Sequence, residues 1–369
     1  MVEALRSLAT LRWSPQPPKY CPLPEHVERV FVKTEHGDLE LLISRPKQRS
    51  DVPPVFFAHG GYGSASVWLE FMDHLHHFGY SGLLYAYSFR NHGASYPVSF
   101  LDMVYRTSLE SCVEDLRACF EYAEQDARSD DMVVVGHSSG GGLLQYALAQ
   151  SVIKARALVL LDAIPHFGSY GVYWNWLKTD PWFPLRNLVH LQHPTSPLSS
   201  DRLVHQAFFG HKYPTEKVPE FRSRMPAYES MGWPLGMFGE FWAWWKGNPK
   251  WLDINEVVAN LAKPKDDGQH DQVCIIVGSE DMMIDVDMCR LQAAQYRQAF
   301  EGRLAKSAVP SPRVAPRIRA IEGTEVETFG GVELAVIQDA GHHVQNDVQS
   351  KVAAEVLFLF LEAVFGGYE

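Results

Sequence analysis

Residues 133–142 read VVVGHSSGGG, with Val133, Val134 and Val135 running into Gly136-His137-Ser138-Ser139-Gly140 and two further glycines. Three β-branched residues favour a strand, and the glycines allow it to end at a tight corner. The five residues from Gly136 to Gly140 fit the pattern G-x-S-x-G. In that pattern a serine occupies a strained strand-to-helix turn and projects its hydroxyl above a sheet. A helix beginning at Gly140 and running to Gln150 would set the Ser139 amide at a helix N-terminus, where backbone N–H groups favour an anion. The five-residue pattern alone also describes an ordinary turn. A strand before it and a helix after it are what give it weight.

Working outward, the same alternation recurs. RVFVKTEHGDLELLISRP holds two β-rich runs around Gly37-Asp38 and reads as an antiparallel hairpin. VPPVFFAHG and SGLLYAYSFRNHG are short apolar runs ending in glycine, as are MVVVG and VCIIVG, and ALVLLD is a fifth apolar run. Between them Trp68 to Phe78 has helical character. Val113, Leu116, Phe120 and Ala123 recur at helical spacing, which predicts a helix over 109–125. His74, His76 and His77 would lie on the solvent side of the first of these helices. Buried strands alternating with amphipathic helices predict an α/β architecture, a mostly parallel sheet with helices on both faces. Functional residues of such sheets gather beyond the carboxyl ends of the strands.

Between 165 and 255 the pattern changes to irregular, Pro- and Gly-rich sequence holding eight of the ten tryptophans. This reads as a mainly helical lid inserted into one continuous core. The division expected is a 1–27 arm, a core of 28–164 and 256–369, and the 165–255 lid. A second irregular stretch at 304–330, containing AVPSPRVAPRIR, reads as a surface excursion.

At 369 residues and 46% hydrophobic content the chain can bury a large core. Its net charge of -11 disfavours nucleic acid and anionic lipid as partners. No apolar run approaches the length of a membrane-spanning helix, and no secretory signal is expected from the first twenty residues. Five cysteines, an odd number without metal-type spacing, read as reduced thiols of a cytoplasmic protein. No metal is expected from His190, His193, His205 and His211, which lack close acidic company in sequence. No nucleotide cofactor is expected either, since no G-x-G-x-x-G opens the first βα unit.

A serine hydroxyl needs a base, and the base an orienting acid. Asp281 follows the strand VCIIVG, and His342 follows Gly341 after the strand VELAVI. Ser138, Asp281 and His342 therefore occur in the order associated with this motif. Asp162 and Glu280 stand as alternative acids, and His343 as an alternative base. Gly61, in His59-Gly60-Gly61-Tyr62-Gly63, and Ser139 would offer backbone amides to a developing oxyanion.

At these residues the chain resembles the lid-bearing branch of the α/β-hydrolase superfamily. HGGYG, RNHGAS, GHSSG and GSED…GH carry the likeness, which spans roughly 28–164 and 256–365. Asn91 stands where that family usually has glycine. The resemblance implies a Ser-Asp-His triad. Serine at the corner, where the family's epoxide hydrolases and haloalkane dehalogenases carry aspartate, favours acyl transfer on a small ester, lactone or thioester. Carbon–carbon bond cleavage and ligand reception without turnover are the alternatives. In the lid, Phe238, Phe241, Trp242 and Trp245 would form one helical stripe, with Trp244 pointing elsewhere. Tyr62, Trp242 and Trp245 are the residues expected to meet an apolar substrate.

Overall fold

The computed structural model describes residues 11, 19–262, 272–306 and 317–365. The apolar runs pair into one ten-stranded sheet. Strands β1 (Val27–Lys33) and β2 (Asp38–Ser44) form the hairpin read from sequence, with Lys33 opposite Asp38. Strands β3 (Val55–Ala58), β4 (Leu84–Tyr87), β5 (Val133–His137), β6 (Ala157–Leu161) and β7 (Val273–Gly278) supply the parallel centre. Strands β8 (Arg317–Ile321), β9 (Thr324–Phe329) and β10 (Val332–Ile337) complete it, in the order β1-β2-β4-β3-β5-β6-β7-β10-β9-β8. Pairing is parallel from β4 through β10 and antiparallel at both margins.

Alternation along β5 sorts its side chains between two cores. Val133 and Val135 join Trp68, Phe71 and Leu75 of the α1 region (α1, Leu69–His77) and Phe360 of the C-terminal helix on one face. Val134 joins the other face, with Leu116 and Phe120 of α2 (Leu109–Ala127) and Leu144 of α3 (Ser139–Ala149). Tyr296 of α4 (Val286–Lys306) packs there too, while α5 (Ser350–Phe365) covers the first face. Each fully buried aliphatic or aromatic side chain contributes roughly 1.5–3 kcal/mol, so two continuous cores hold the sheet rigid beneath its loops. Helix α2 starts at Ser108, whose hydroxyl accepts from Ser111 N–H, and stops at Arg128 in the left-handed region.

Three expectations change. Residues 317–329 are not a surface excursion: β8 and β9 form a hairpin around Gly323 that extends the sheet from β10. An edge hairpin alternates buried Val326 and Thr328 with exposed charges, a weaker signal than a continuous apolar run. Residues 307–316 lie outside the described residues. His76 is half-buried rather than solvent-facing, its ring bridging the Tyr80 carbonyl and Ser44 Oγ at 2.8 and 3.0 Å. Of the 1–27 arm, residues 1–10 and 12–18 lie outside the described residues, and Val27 already belongs to β1.

The 165–255 stretch is a set of short helices between β6 and β7, among them Tyr170–Thr179, Phe183–Val189, Asp201–Phe208 and Phe241–Trp245. None of the five cysteines is in a disulfide. Among the described residues, no helix is long and apolar enough to cross a membrane.

Candidate active site

Ser138 sits between β5 and α3 at φ 52, ψ -127, a conformation that costs a non-glycine residue about 1–3 kcal/mol. The surroundings force it. Ser138 N–H donates to the Leu161 carbonyl at 3.0 Å, and its own carbonyl accepts from Gly141, Gly142 and Ile164 amides. Neither Gly136 nor Gly140 takes a positive φ; their role is close approach. A Cβ on Gly136 would lie 2.5 Å from Gly141 Cα, and one on Gly140 only 2.3 Å from the His59 carbonyl oxygen.

His342 and Asp281 arrive on the loops after β10 and β7, which are parallel neighbours. His342 Nε2 lies 2.9 Å from Ser138 Oγ, and His342 Nδ1 lies 2.7 Å from Asp281 Oδ2. The other oxygen, Asp281 Oδ1, accepts from the amides of Met283 and Ile284 at 2.7 and 3.0 Å. His137 Nε2–H donates to the His342 carbonyl at 2.9 Å and pins that backbone to the serine corner.

The rival residues make other contacts. His343 is buried, with Nδ1 3.0 Å from Asn346 Oδ1, and burial followed by the neighbouring His342 pushes its pKa down to about 3. Glu280 turns outward, where His211 Nδ1 meets its carboxylate at 2.5 Å. Asp162 is fully buried at the end of β6, and its Oδ1 accepts the Gly278 N–H at 2.8 Å. Burial, and then the charge of Asp281, hold its pKa well above the ordinary carboxylate range.

The 59–63 loop passes beside Ser139. Gly61 N–H donates to Ser139 Oγ at 2.9 Å instead of facing open space, and Ser139 is the first residue of α3, whose own N–H has no intrahelical acceptor. Tyr62, at φ 60, donates its N–H to Glu229 Oε2 at 2.8 Å and its hydroxyl to the Pro194 carbonyl. Glu229 is the residue that sequence reading missed. It comes from the 165–255 stretch, is buried, accepts Ser230 N–H at 2.8 Å and meets His92 Nε2 at 2.9 Å. No local pattern marks it. His92 is fixed by the turn before it, where Asn91 takes φ 64, a conformation that glycine and asparagine tolerate best. That accounts for Asn91 at a position the related motif gives to glycine.

A cavity of about 260 Å³ opens above Ser138, Ser139, Gly61 and His342. Its wall is largely apolar, built by Ile164, Val172, Trp176, Trp233, Phe238 and Met283, with Tyr62 and Glu229 at the 59–63 loop. Trp242 and Trp245 are not part of that wall: they are 69% and 68% exposed. The expected stripe fails because the helix carrying them spans only Phe241–Trp245 and is preceded by Gly239 at φ 80. Phe238 therefore leaves the stripe and stacks on Tyr173, ring centroids 4.8 Å apart, while Trp244 turns inward onto Tyr170.

Among the described residues, His211, Glu280 and Asp339 bring potential metal-ligating atoms together. Asp339 is already paired with Lys212 at 2.7 Å, and His211 is exposed. Acidic company for His211 therefore exists in space though not in sequence.

The comparisons with known proteins agree with this architecture. A model described as an alpha/beta hydrolase family matches residues 55–355. A thermophilic esterase from Thermogutta terrifontis is 15% identical with a TM-score of 0.56, covering 91% of this chain and 99% of its own. A carboxylesterase from Bacillus subtilis is 16% identical with a TM-score of 0.52, covering 99% and 96%. A bromoperoxidase from Bacillus anthracis is 15% identical with a TM-score of 0.55, covering 91% and 100%. At such identities the likeness carries the fold. No curated protein matches the chain. With a family match over most of its length and a parallel sheet that turns a serine corner at Ser138, this chain belongs to the α/β-hydrolase family, and it is a hydrolase.

Proposed function

We propose that the protein is a serine hydrolase acting through an acyl-enzyme on a small apolar or aromatic ester, lactone or thioester. The observation that carries this reading is the continuous chain of contacts from Asp281 Oδ2 through His342 to Ser138 Oγ, at 2.7 and 2.9 Å, on the floor of an apolar cavity. Ser138 is the nucleophile and His342 takes its proton as the hydroxyl attacks the acyl carbon. His342 then returns that proton to the leaving group, and a water repeats the sequence to release the acid. Asp281 holds the imidazole with its proton on Nδ1 and stabilises the imidazolium. The Ser139 amide, at the start of α3, faces the charge that develops on the acyl oxygen.

The 165–255 stretch is a lid in this reading, and its inward residues Trp176, Trp233 and Phe238 set substrate choice. A cavity walled in this way rewards apolar surface at about 25 cal/mol per Å², so acyl chains that fill it are favoured over acetyl or charged groups. Esterases among the structural neighbours fit the same reaction class. Purified protein treated with a fluorophosphonate should label at Ser138, and p-nitrophenyl esters of graded chain length should give a kcat/KM that rises with apolar size. Absence of labelling together with absence of ester turnover refutes the proposal.

A further inference from the structure

The contact between Gly61 and Ser139 changes which groups can meet a developing oxyanion. Gly61 N–H is engaged by Ser139 Oγ at 2.9 Å, and the next amide, Tyr62 N–H, is engaged by Glu229 at 2.8 Å. Both loop amides that border the cavity are thus held by side chains. A hydroxyl carries one donor and two acceptor lone pairs. Ser139 Oγ uses an acceptor site on Gly61, and among the described residues its own proton has no acceptor. Ser139 is 8% exposed, lines the cavity beside Ser138, and is held at the start of α3. Ser139 Oγ and Glu229 Oε2 flank Gly61 at ordinary contact distance, since a Cβ there would lie 3.7 and 3.8 Å from them.

We propose that the Ser139 hydroxyl is itself a catalytic donor to the oxyanion, and that Gly61 N–H acts through it instead of touching the substrate. The proposal rests on Ser138 being the nucleophile. Ser139 then offers two donors from one residue, its backbone N–H and its O–H. A hydroxyl that accepts from an amide is polarised and donates more strongly. The neutral carbonyl of a bound ester gains little from that donor, whereas an oxyanion forms a charge-assisted bond about twice as strong. The contribution therefore falls on kcat and leaves KM nearly unchanged.

Two readings of the same contact predict opposite results for Ser139→Ala. If Ser139 Oγ merely plugged the loop amide, its removal would release Gly61 N–H to the substrate, and kcat would hold or rise. If the hydroxyl donates, kcat on a p-nitrophenyl ester falls by roughly 10²-fold, the scale of losing one oxyanion donor, with KM within about twofold. Ser139→Cys keeps the side chain's branching and replaces the donor by a weak one, so it falls by at least tenfold as well. A fall of less than tenfold in either variant overturns the proposal, as does a loss confined to KM. Ser138→Ala is measured alongside. Activity surviving in Ser138→Ala refutes the serine mechanism itself, whereas an inactive Ser138→Ala beside an unimpaired Ser139→Ala refutes only the donor role.

Discussion

Replacing Asp281 by asparagine tests the proposed mechanism at the point where the geometry leaves least freedom. Asp281 Oδ1 accepts two backbone amides, from Met283 and Ile284 at 2.7 and 3.0 Å. In Asp281→Asn the amide oxygen must stay with those two donors, because Nδ2 cannot accept them. The Nδ2 group is then turned toward His342 Nδ1, which the carboxylate now meets at 2.7 Å. An N–H facing Nδ1 requires that nitrogen to accept, so the imidazole proton moves to Nε2 and points at Ser138 Oγ. The base is lost through the wrong tautomer while every backbone contact survives. Triad enzymes altered in this way lose about 10⁴-fold in kcat. At about 1.36 kcal/mol per factor of ten, that is roughly 5.4 kcal/mol of transition-state stabilisation. Asp162→Asn is the control, since the contact with Gly278 N–H survives in the amide oxygen. Its loss should stay below about tenfold. The assay is steady-state kcat on a p-nitrophenyl ester at pH 7.5, with thermal melts verifying both folds. An Asp281→Asn variant within a hundredfold of wild type, or a larger loss in Asp162→Asn, refutes the reasoning.

Ser138→Ala should lose at least about 10³-fold in kcat. Ser138→Gly should be equally inactive yet melt higher than wild type, because glycine adopts φ 52 without the roughly 1–3 kcal/mol strain; a lower melting temperature would contradict that account. Asp162 has a raised pKa in the folded state, so the native protein retains a proton that the unfolded chain releases above about pH 4. Wild-type stability therefore declines as pH rises from there toward the folded pKa, by up to about 1.36 kcal/mol per pH unit, and Asp162→Asn escapes that decline. Urea denaturation should show the variant's advantage over wild type growing as pH rises above about 4, and a pH-independent difference would show that Asp162 does not titrate as described. Phe238→Ala should change the chain-length profile of kcat/KM, whereas Trp242→Ala, at an exposed ring outside the cavity wall, should leave that profile unchanged. The reverse pattern would reassign the specificity wall.

The sequence by itself determined the features that short-range chemistry controls. Apolar runs such as VVVG and VCIIVG became parallel strands because burial on both faces selects continuous β-branched sequence, and Gly136 and Gly140 specified the corner because no larger residue fits their close approaches. The order Ser138, Asp281, His342 was legible because each residue ends a recognisable strand, and the structure brings the three within hydrogen-bonding distance. Tertiary structure alone decided the rest. Asp162 and Asp281 both follow buried strands, and only the fold shows that the imidazole meets Asp281 while Asp162 lies sealed against Gly278. The β8–β9 hairpin was hidden because an edge pair needs only half its residues buried. Trp242 and Trp245 looked like a wall because helical spacing assumes a helix longer than five residues. Glu229 meets Tyr62 across 167 positions, and Gly61 meets Ser139 across 78. Contacts of that separation leave no periodicity in sequence, because they depend on where rigid strands and helices carry their loops, not on the residues beside them.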